Sequence, residues 1–135
     1  MLKALFKPLN PRIENWTDRR VWIVGASSGI GAALATALLD AGAKVAISAR
    51  SEERLTALAQ AHPNGANALV VPLDVTDAQA WTEASERVFS SLGDLDLIVL
   101  GAARYDPQHA WNLDMDQVRA SYELNVISMY EAVKQ

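Results

Sequence analysis

Residues 21–33 have the sequence Val21-Trp-Ile-Val-Gly25-Ala-Ser-Ser-Gly29-Ile-Gly31-Ala-Ala33, a short apolar run that leads into three closely spaced glycines. The apolar run predicts a buried β-strand, and the residues after it have helical spacing. Gly25 can make the tight turn, Gly29 lets a pyrophosphate approach the backbone, and Gly31 lets helix and strand pack closely. The N–H groups that open the helix would bind the phosphate. The segment therefore predicts a nucleotide-binding turn, and the alternative is that the glycines serve packing alone.

Four short apolar runs alternate with helical stretches along the chain, and they predict strands near residues 21–25, 44–48, 68–72 and 96–101. The runs are continuous rather than alternating, as is typical of strands covered on both faces. Strands and helices that alternate at this spacing imply right-handed parallel crossovers. We therefore predict an α/β fold with an open, doubly wound parallel sheet in the strand order 3-2-1-4. Ligands bind to such sheets beyond the carboxyl ends of the strands.

Each of the predicted helices is expected to bury one apolar stripe. In the first helix the stripe consists of Ile30, Ala33, Leu34, Ala37, Leu38 and Ala41. The second and third helices are expected to bury Leu55 and Leu58, and Trp81, Ala84, Val88 and Leu92. In the fourth helix the stripe consists of Val118, Tyr122, Val126, Met129 and Val133. The expected N-caps are Ser51, then Thr76 or Asp77, then Asp114, with Gln117 at its capping-box position.

The composition excludes several classes of protein. The chain has 135 residues, half of them hydrophobic, with 12 basic and 16 acidic side chains and no cysteine. One domain of this length can bury a core, and the acidic excess argues against nucleic acid as a partner. Without cysteine there is no disulfide, iron–sulfur cluster or thiolate nucleophile, which suits the cytoplasmic location that we expect. No apolar run reaches the roughly 18 residues of a membrane span, and no cluster has metal-ligand spacing.

The first residues differ in composition from the rest. Within residues 1–20 there are five basic and two acidic side chains. We expect a basic surface arm over residues 1–19, beside the first strand of a domain that covers residues 20–135. Weak contact of Leu2, Leu5 and Phe6 with a membrane surface is the alternative.

The glycine turn Gly25-Ala-Ser-Ser-Gly-Ile-Gly31 resembles the fingerprint of the short-chain dehydrogenases/reductases. Leu73-Asp-Val-Thr-Asp77 is similar to the family's segment after the third strand, and residues 94–103 are similar to its fourth strand and the following turn. Ser121-Tyr-Glu-Leu-Asn-Val126 is similar to the helix that carries an active-site asparagine. The resemblance extends from about Arg20 to Gln135. It implies a Rossmann-type domain of a nicotinamide-dependent oxidoreductase that acts on a small-molecule alcohol or carbonyl.

The end of the second strand indicates which cofactor is preferred. Folds that prefer NAD(H) close this strand with an acidic residue that binds the ribose 2′-hydroxyl. Here the strand ends in Ala49, and Arg50 follows. A guanidinium can bind a 2′-phosphate through two parallel bonds, so we predict NADP(H) rather than NAD(H). The alternative is that Arg50 only pairs with Glu52 or Glu53.

The resemblance also implies further cofactor contacts beside the glycines and Arg50. These are Ser27, Ser28 and Ile30 at the phosphate turn, Asp74 and Val75 at the adenine, and Gly101 and Ala102 at the ribose. Asp74 could equally be a turn or helix-cap residue. Two positions depart from the family pattern: Val24 replaces a threonine, and Leu100-Gly-Ala-Ala103 replaces an Asn-Asn-Ala-Gly turn.

Asn125 is the catalytic-site residue that the resemblance implies, in a helix that it kinks. The alternative is a satisfied core asparagine that bonds nearby backbone. Tyr130 and Lys134 have the spacing of the family's Tyr-x-x-x-Lys pair, but they follow Asn125 too closely. On a straight helix at roughly 100° per residue, their side chains point away from it. We therefore do not assign catalysis to this pair.

The expected function is that of the amino-terminal, cofactor-binding part of an NADP(H)-dependent oxidoreductase. The sheet would be incomplete in its carboxyl-terminal half, and the chain alone would be inactive because the catalytic serine and Tyr-x-x-x-Lys pair are missing. The alternative is a non-catalytic NADP(H)-binding sensor or assembly module. The apolar strand 96–101 would be an unprotected sheet edge, so we also expect a homo-oligomer.

Overall fold

The computed structural model describes residues 12–135, and the larger part of the predicted arm over residues 1–19 lies outside them. The elements follow in the order β1 (Arg20–Val24), α1 (Gly29–Asp40), β2 (Lys44–Ser48), α2 (Glu52–Ala61), a 3₁₀ turn (Gly65–Asn67), β3 (Ala68–Val70), α3 (Ala78–Leu92), β4 (Leu97–Leu100), α4 (Met115–Tyr122), a π-helical turn (Glu123–Ile127) and α5 (Ser128–Lys134). No helix among the described residues combines the length and apolarity needed to cross a membrane.

The four strands form one sheet in the order β3-β2-β1-β4, and all three pairings are parallel. The predicted fold class and strand order are confirmed. In the register, Trp22 of β1 lies between Ala46 of β2 and Ile98 of β4. All four strands point in one direction, so their carboxyl ends meet at one edge of the sheet.

Successive residues of β1 point to opposite faces of the sheet and divide the core into two layers. Val21 and Ile23 belong to the layer that also contains buried residues of α1 and α2. Trp22 and Val24 belong to the other layer, with buried residues of α3 and of the segment after β3. Because both faces of the central strand are covered, its sequence is continuously apolar.

The apolar stripe predicted for α1 is correct at Leu34 and Leu38, which pack in the core, but wrong at its other members. The buried residues of α1 are Ala35, Leu38 and Leu39, whereas Ile30 is 89% exposed. Ala33, Ala37 and Ala41 are exposed as well. Alanines occupy all sides of this helix, so its apolar period does not single out one face. The rotation of α1 is instead set by Gly31, which lies against the backbone of Gly25.

The stripe predicted for the last helix is also wrong. Its members at 118, 122, 129 and 133 are exposed, Val133 by 82%. Leu124 and Ala132 pack against the core instead, and Ser128 is buried between them. Apart from Leu124, the inward side consists of small and polar residues, which an apolar pattern does not reveal. The π-helical turn at Glu123–Ile127 also changes the rotation between α4 and α5.

The helix caps agree with the sequence. Ser51 accepts a hydrogen bond from the Arg54 N–H, and Asp77, rather than Thr76, caps α3. Asp114 caps α4 through the N–H groups of residues 116 and 117. The Gln117 side chain donates to the Asp114 carboxylate, not to its backbone, at 3.2 Å.

An ion-pair cluster lies at the amino-terminal end of β4, away from the carboxyl edge. Asp96 accepts a bond from the Arg20 N–H at 2.9 Å and pairs with the guanidinium groups of Arg19 and Arg20 at 2.7 and 3.3 Å. The Arg20 N–H, and next the Arg19 side chain, lower the pKa of Asp96 to about 2. The positive charges at the start of β1 are thereby held at the sheet.

Candidate functional site

A cleft of about 440 Å³ lies at the carboxyl edge of the sheet, and each of the four strands contributes the residues that follow it. Every predicted cofactor residue except Gly29 lines this cleft: Gly25, Ser27, Ser28, Ile30, Gly31, Arg50, Asp74, Val75, Gly101 and Ala102. The other lining residues were not predicted as cofactor contacts; they are Ala49, Ser51, Arg54, Leu73, Ala103 and Leu124. The cleft therefore gathers the predicted site, and contact with a cofactor stays a prediction.

The glycine turn is anchored to the end of β2. The carbonyl of Ser48 accepts hydrogen bonds from the N–H groups of Gly25 and Ala26 at 2.7 and 3.0 Å. A Cβ at Gly25 would lie 2.5 Å from the backbone nitrogen of Ala102, and one at Gly31 would lie 2.1 Å from the carbonyl oxygen of Gly25. Both glycines are required because backbone meets backbone at these points.

Gly29 serves a different purpose from the other two glycines. Its φ is +56°, and no atom lies within 4 Å of where its Cβ would be. Ser28 is the N-cap of α1, yet its side chain makes no capping bond. The start of α1 thus offers a bare backbone and an uncommitted hydroxyl beside the cleft. This arrangement fits the pyrophosphate of a dinucleotide.

Arg50 lies at the end of β2 with its side chain exposed in the cleft. Within residues 12–135 it forms no ion pair with Glu52 or Glu53, so the alternative assigned to it from sequence is not observed. Its charge acts on Asp74, which lines the same cleft. An arginine at this position is available to an anionic ligand.

Asp74 is held as an oriented anion. Its Oδ1 accepts bonds from the N–H and hydroxyl of Thr76 at 3.0 and 2.7 Å, which makes it a turn residue. The Thr76 N–H lowers the pKa of Asp74 most, followed by the Thr76 hydroxyl; burial opposes them, and the Arg50 charge lowers it further. The turn role and a role in binding are compatible, because the other carboxylate oxygen is not used by Thr76.

Val75 forms one wall of the cleft, and two buried tryptophans hold this wall in place from the core side. Trp81 Nε1 donates to the Val75 carbonyl at 3.0 Å. Trp22 lies edge-on to Trp81, with 5.8 Å between the ring centroids, and its Nε1 donates to Ser48 Oγ at 2.8 Å. The sequence predicted Trp81 as a core residue only. The indole also ties α3 to the cleft.

Asn125 lies in the π-helical turn, at the position where the resemblance implies a kink. Its Oδ1 accepts from the Arg104 N–H at 2.8 Å, and its Nδ2 donates to the Arg104 carbonyl at 2.7 Å. The amide is thus satisfied by backbone, as in the alternative interpretation. It tethers the loop that follows β4, and Asn125 itself does not line the cleft.

Other candidate groups lie elsewhere. Tyr130 is 72% exposed, Lys134 pairs with Glu131 at 3.6 Å, and neither lines the cleft. His109 stacks on Trp111, and His62 Nε2 lies 3.1 Å from Asp40. Among residues 12–135, no group of histidine and carboxylate side chains could hold a metal ion.

Comparison with known proteins shows the family to which this chain belongs. The family model described as short chain dehydrogenase matches residues 19–135. The mouse protein dehydrogenase/reductase SDR family member 7 is 31% identical over 140 residues, which cover 98% of this chain and 41% of that protein. The chain thus spans less than half the length of this relative.

Two solved structures have the same fold. A short-chain dehydrogenase/reductase from Serratia marcescens superposes with a TM-score of 0.81 at 29% identity, over 90% of this chain and 50% of the other. The 3-ketoacyl-(acyl-carrier-protein) reductase from Brucella melitensis, complexed with NADH, gives a TM-score of 0.81 at 26% identity, over 89% and 49%. By sequence and by fold, the chain belongs to the short-chain dehydrogenase/reductase family.

Proposed function

We propose that this chain binds NADP(H) in the cleft and is the cofactor-binding part of an oxidoreductase for a small-molecule alcohol or carbonyl. One observation carries the cofactor preference: Arg50 lines the cleft where Ala49, at the end of β2, supplies no carboxylate. A carboxylate there would bind a ribose 2′-hydroxyl and repel a 2′-phosphate. When bound, the cofactor supplies or accepts a hydride.

The other proposed contacts are those that the family resemblance implies. In this proposal the pyrophosphate lies over Gly29 and the hydroxyls of Ser27 and Ser28, with Gly25, Ile30 and Gly31 shaping the turn. Asp74 and Val75 bind the adenine, and the backbone of Gly101 and Ala102 approaches the ribose. The support is that these residues, Gly29 excepted, line one continuous cleft.

Titration with NADPH and NADH tests the proposed preference. Arg50→Ala is expected to weaken NADPH binding about tenfold and to leave NADH binding unchanged, because it removes a charge-assisted bond to the 2′-phosphate alone. Arg87→Ala is the matched control, since Arg87 is an exposed arginine on α3 that does not line the cleft. Equal affinity of the unmodified chain for the two cofactors would rule the assignment out.

The proposal confines this chain to binding. Its support is that Tyr130 and Lys134 do not line the cleft and that the Asn125 amide is bonded to the Arg104 backbone. In this proposal Asn125 positions the loop after β4 within the catalytic site of the complete family architecture. The NADPH-loaded chain is expected to consume no NADPH when simple aldehydes and ketones are added. Steady turnover would refute the proposal.

We also propose that the chain forms a homo-oligomer. β4 is at the edge of the sheet, Ile98 is 41% exposed, and Tyr122, Met129 and Val133 present apolar surface on the last helices. Edge strands of this kind pair with further strands. Light scattering is expected to give a mass above that of the monomer, and Ile98→Lys is expected to lower it. A monomer at high concentration would contradict this.

A further inference from the structure

Two arginines line the cleft near the start of α2: Arg50, discussed above, and Arg54. We propose that Arg54 is a second specificity-determining residue, whose guanidinium binds the 2′-phosphate of the cofactor together with Arg50. This inference rests on the proposed NADP(H) binding. It concerns a residue for which sequence spacing alone predicts only an exposed position on a helix.

The charges that line the cleft favour a second arginine at the phosphate. Arg50 and Asp74 line the same cleft, and their formal charges cancel. A phosphate monoester carries between about −1.5 and −2 charges at neutral pH. Arg54 is the other guanidinium that lines the cleft, and it makes this side of the cleft net positive. A phosphate dianion needs this net positive charge in order to bind.

The position of Arg54 within α2 gives no local reason for an arginine. Ser51 is the N-cap, so Arg54 is at the third helical position, where a capping box would have Glu or Gln. The positive end of the helix dipole also disfavours a cation in this turn. Within the described part of the chain Arg54 has no ion-pair partner that would offset this. Because Arg54 disfavours the start of its own helix, its presence is better explained by a ligand that it binds.

A pair of small ligands tests the proposal without requiring catalysis. Adenosine 2′,5′-bisphosphate and 5′-AMP differ only in the 2′-phosphate, and calorimetric titration gives the affinity of each. Arg54→Ala and Arg54→Gln are expected to weaken binding of the bisphosphate about tenfold and to leave 5′-AMP binding unchanged. Arg54→Gln completes the capping box with Ser51, so its Tm is expected to be equal to or above that of the unmodified chain. Arg87→Ala controls for the loss of one positive charge and is expected to change neither affinity.

The outcomes separate this inference from the proposed function. If the unmodified chain binds both ligands equally, the proposed NADP(H) preference fails. If the chain prefers the bisphosphate and only Arg50→Ala removes the preference, the proposed function stands and the role of Arg54 is overturned. If the Arg54 variants lose both ligands equally and their Tm falls, Arg54 is structural and the inference is likewise overturned.

Discussion

Gly31→Ala is expected to destabilise the fold by about 3 kcal/mol and to abolish cofactor binding. The added Cβ would lie 2.1 Å from the Gly25 carbonyl oxygen and 2.9 Å from its carbonyl carbon, so either α1 or the glycine turn must move. Neither is a flexible side chain that could rotate away. Urea unfolding followed by circular dichroism measures the loss of stability, and NADPH titration measures the loss of binding.

Gly29→Ala is the matched comparison within the same turn. Nothing lies within 4 Å of its Cβ position, so the cost is that of the left-handed backbone, about 1 kcal/mol. A Gly29 variant as unstable as the Gly31 variant would show that close packing of α1 on the turn is not what Gly31 provides.

Trp81→Ala is expected to cost about 3–5 kcal/mol, the range for removing a buried aromatic side chain. Trp81 is 1% exposed, packs edge-on against Trp22 and donates to the Val75 carbonyl. Cofactor affinity is expected to fall as well, because the wall formed by Val75 loses the donor that holds it. Thermal unfolding and NADPH titration of the same sample measure both effects.

Trp81→Phe separates packing from the hydrogen bond. It keeps a ring in the core but leaves the Val75 carbonyl without its partner, which costs about 1–3 kcal/mol. Phe89→Ala is the control on the same helix, since Phe89 is 43% exposed and faces away from the core. If Phe89→Ala destabilised the protein as much as Trp81→Ala, burial against Trp22 would not be the source of the stability.

The parts of the fold that could be predicted from sequence depend on local chemistry. The continuous apolar runs located the four strands, because strands covered on both faces leave no other pattern. Ser51 and Asp114 are N-caps as expected, since a cap bonds to N–H groups only two or three residues away. The glycine turn lies between β1 and α1 as expected, since residues close together in the sequence encode it as well.

Helix rotation and long-range contacts could not be read from the sequence. Alanine on all sides of α1 left its buried face undetermined, and the inward side of the last helices contains Ser128 and Ala132 rather than an apolar stripe. The contact between Asn125 and Arg104 joins residues 21 positions apart through backbone atoms, which no local pattern encodes. Arg54, which lines the cleft, was not predicted either, although an arginine three residues after the cap Ser51 is unusual.

The tether between Asn125 and Arg104 has a consequence for how this architecture can diversify. Both bonds end on main-chain atoms of Arg104, so any amino acid except proline, which lacks the N–H, could stand at that position and still be held. The loop beyond it displays Tyr105 and Trp111 to solvent, and neither ring is part of the anchor. Anchoring and loop chemistry are therefore encoded separately. The sequence of such a loop can be changed, by mutation or by design, without loss of the hydrogen bonds that anchor it.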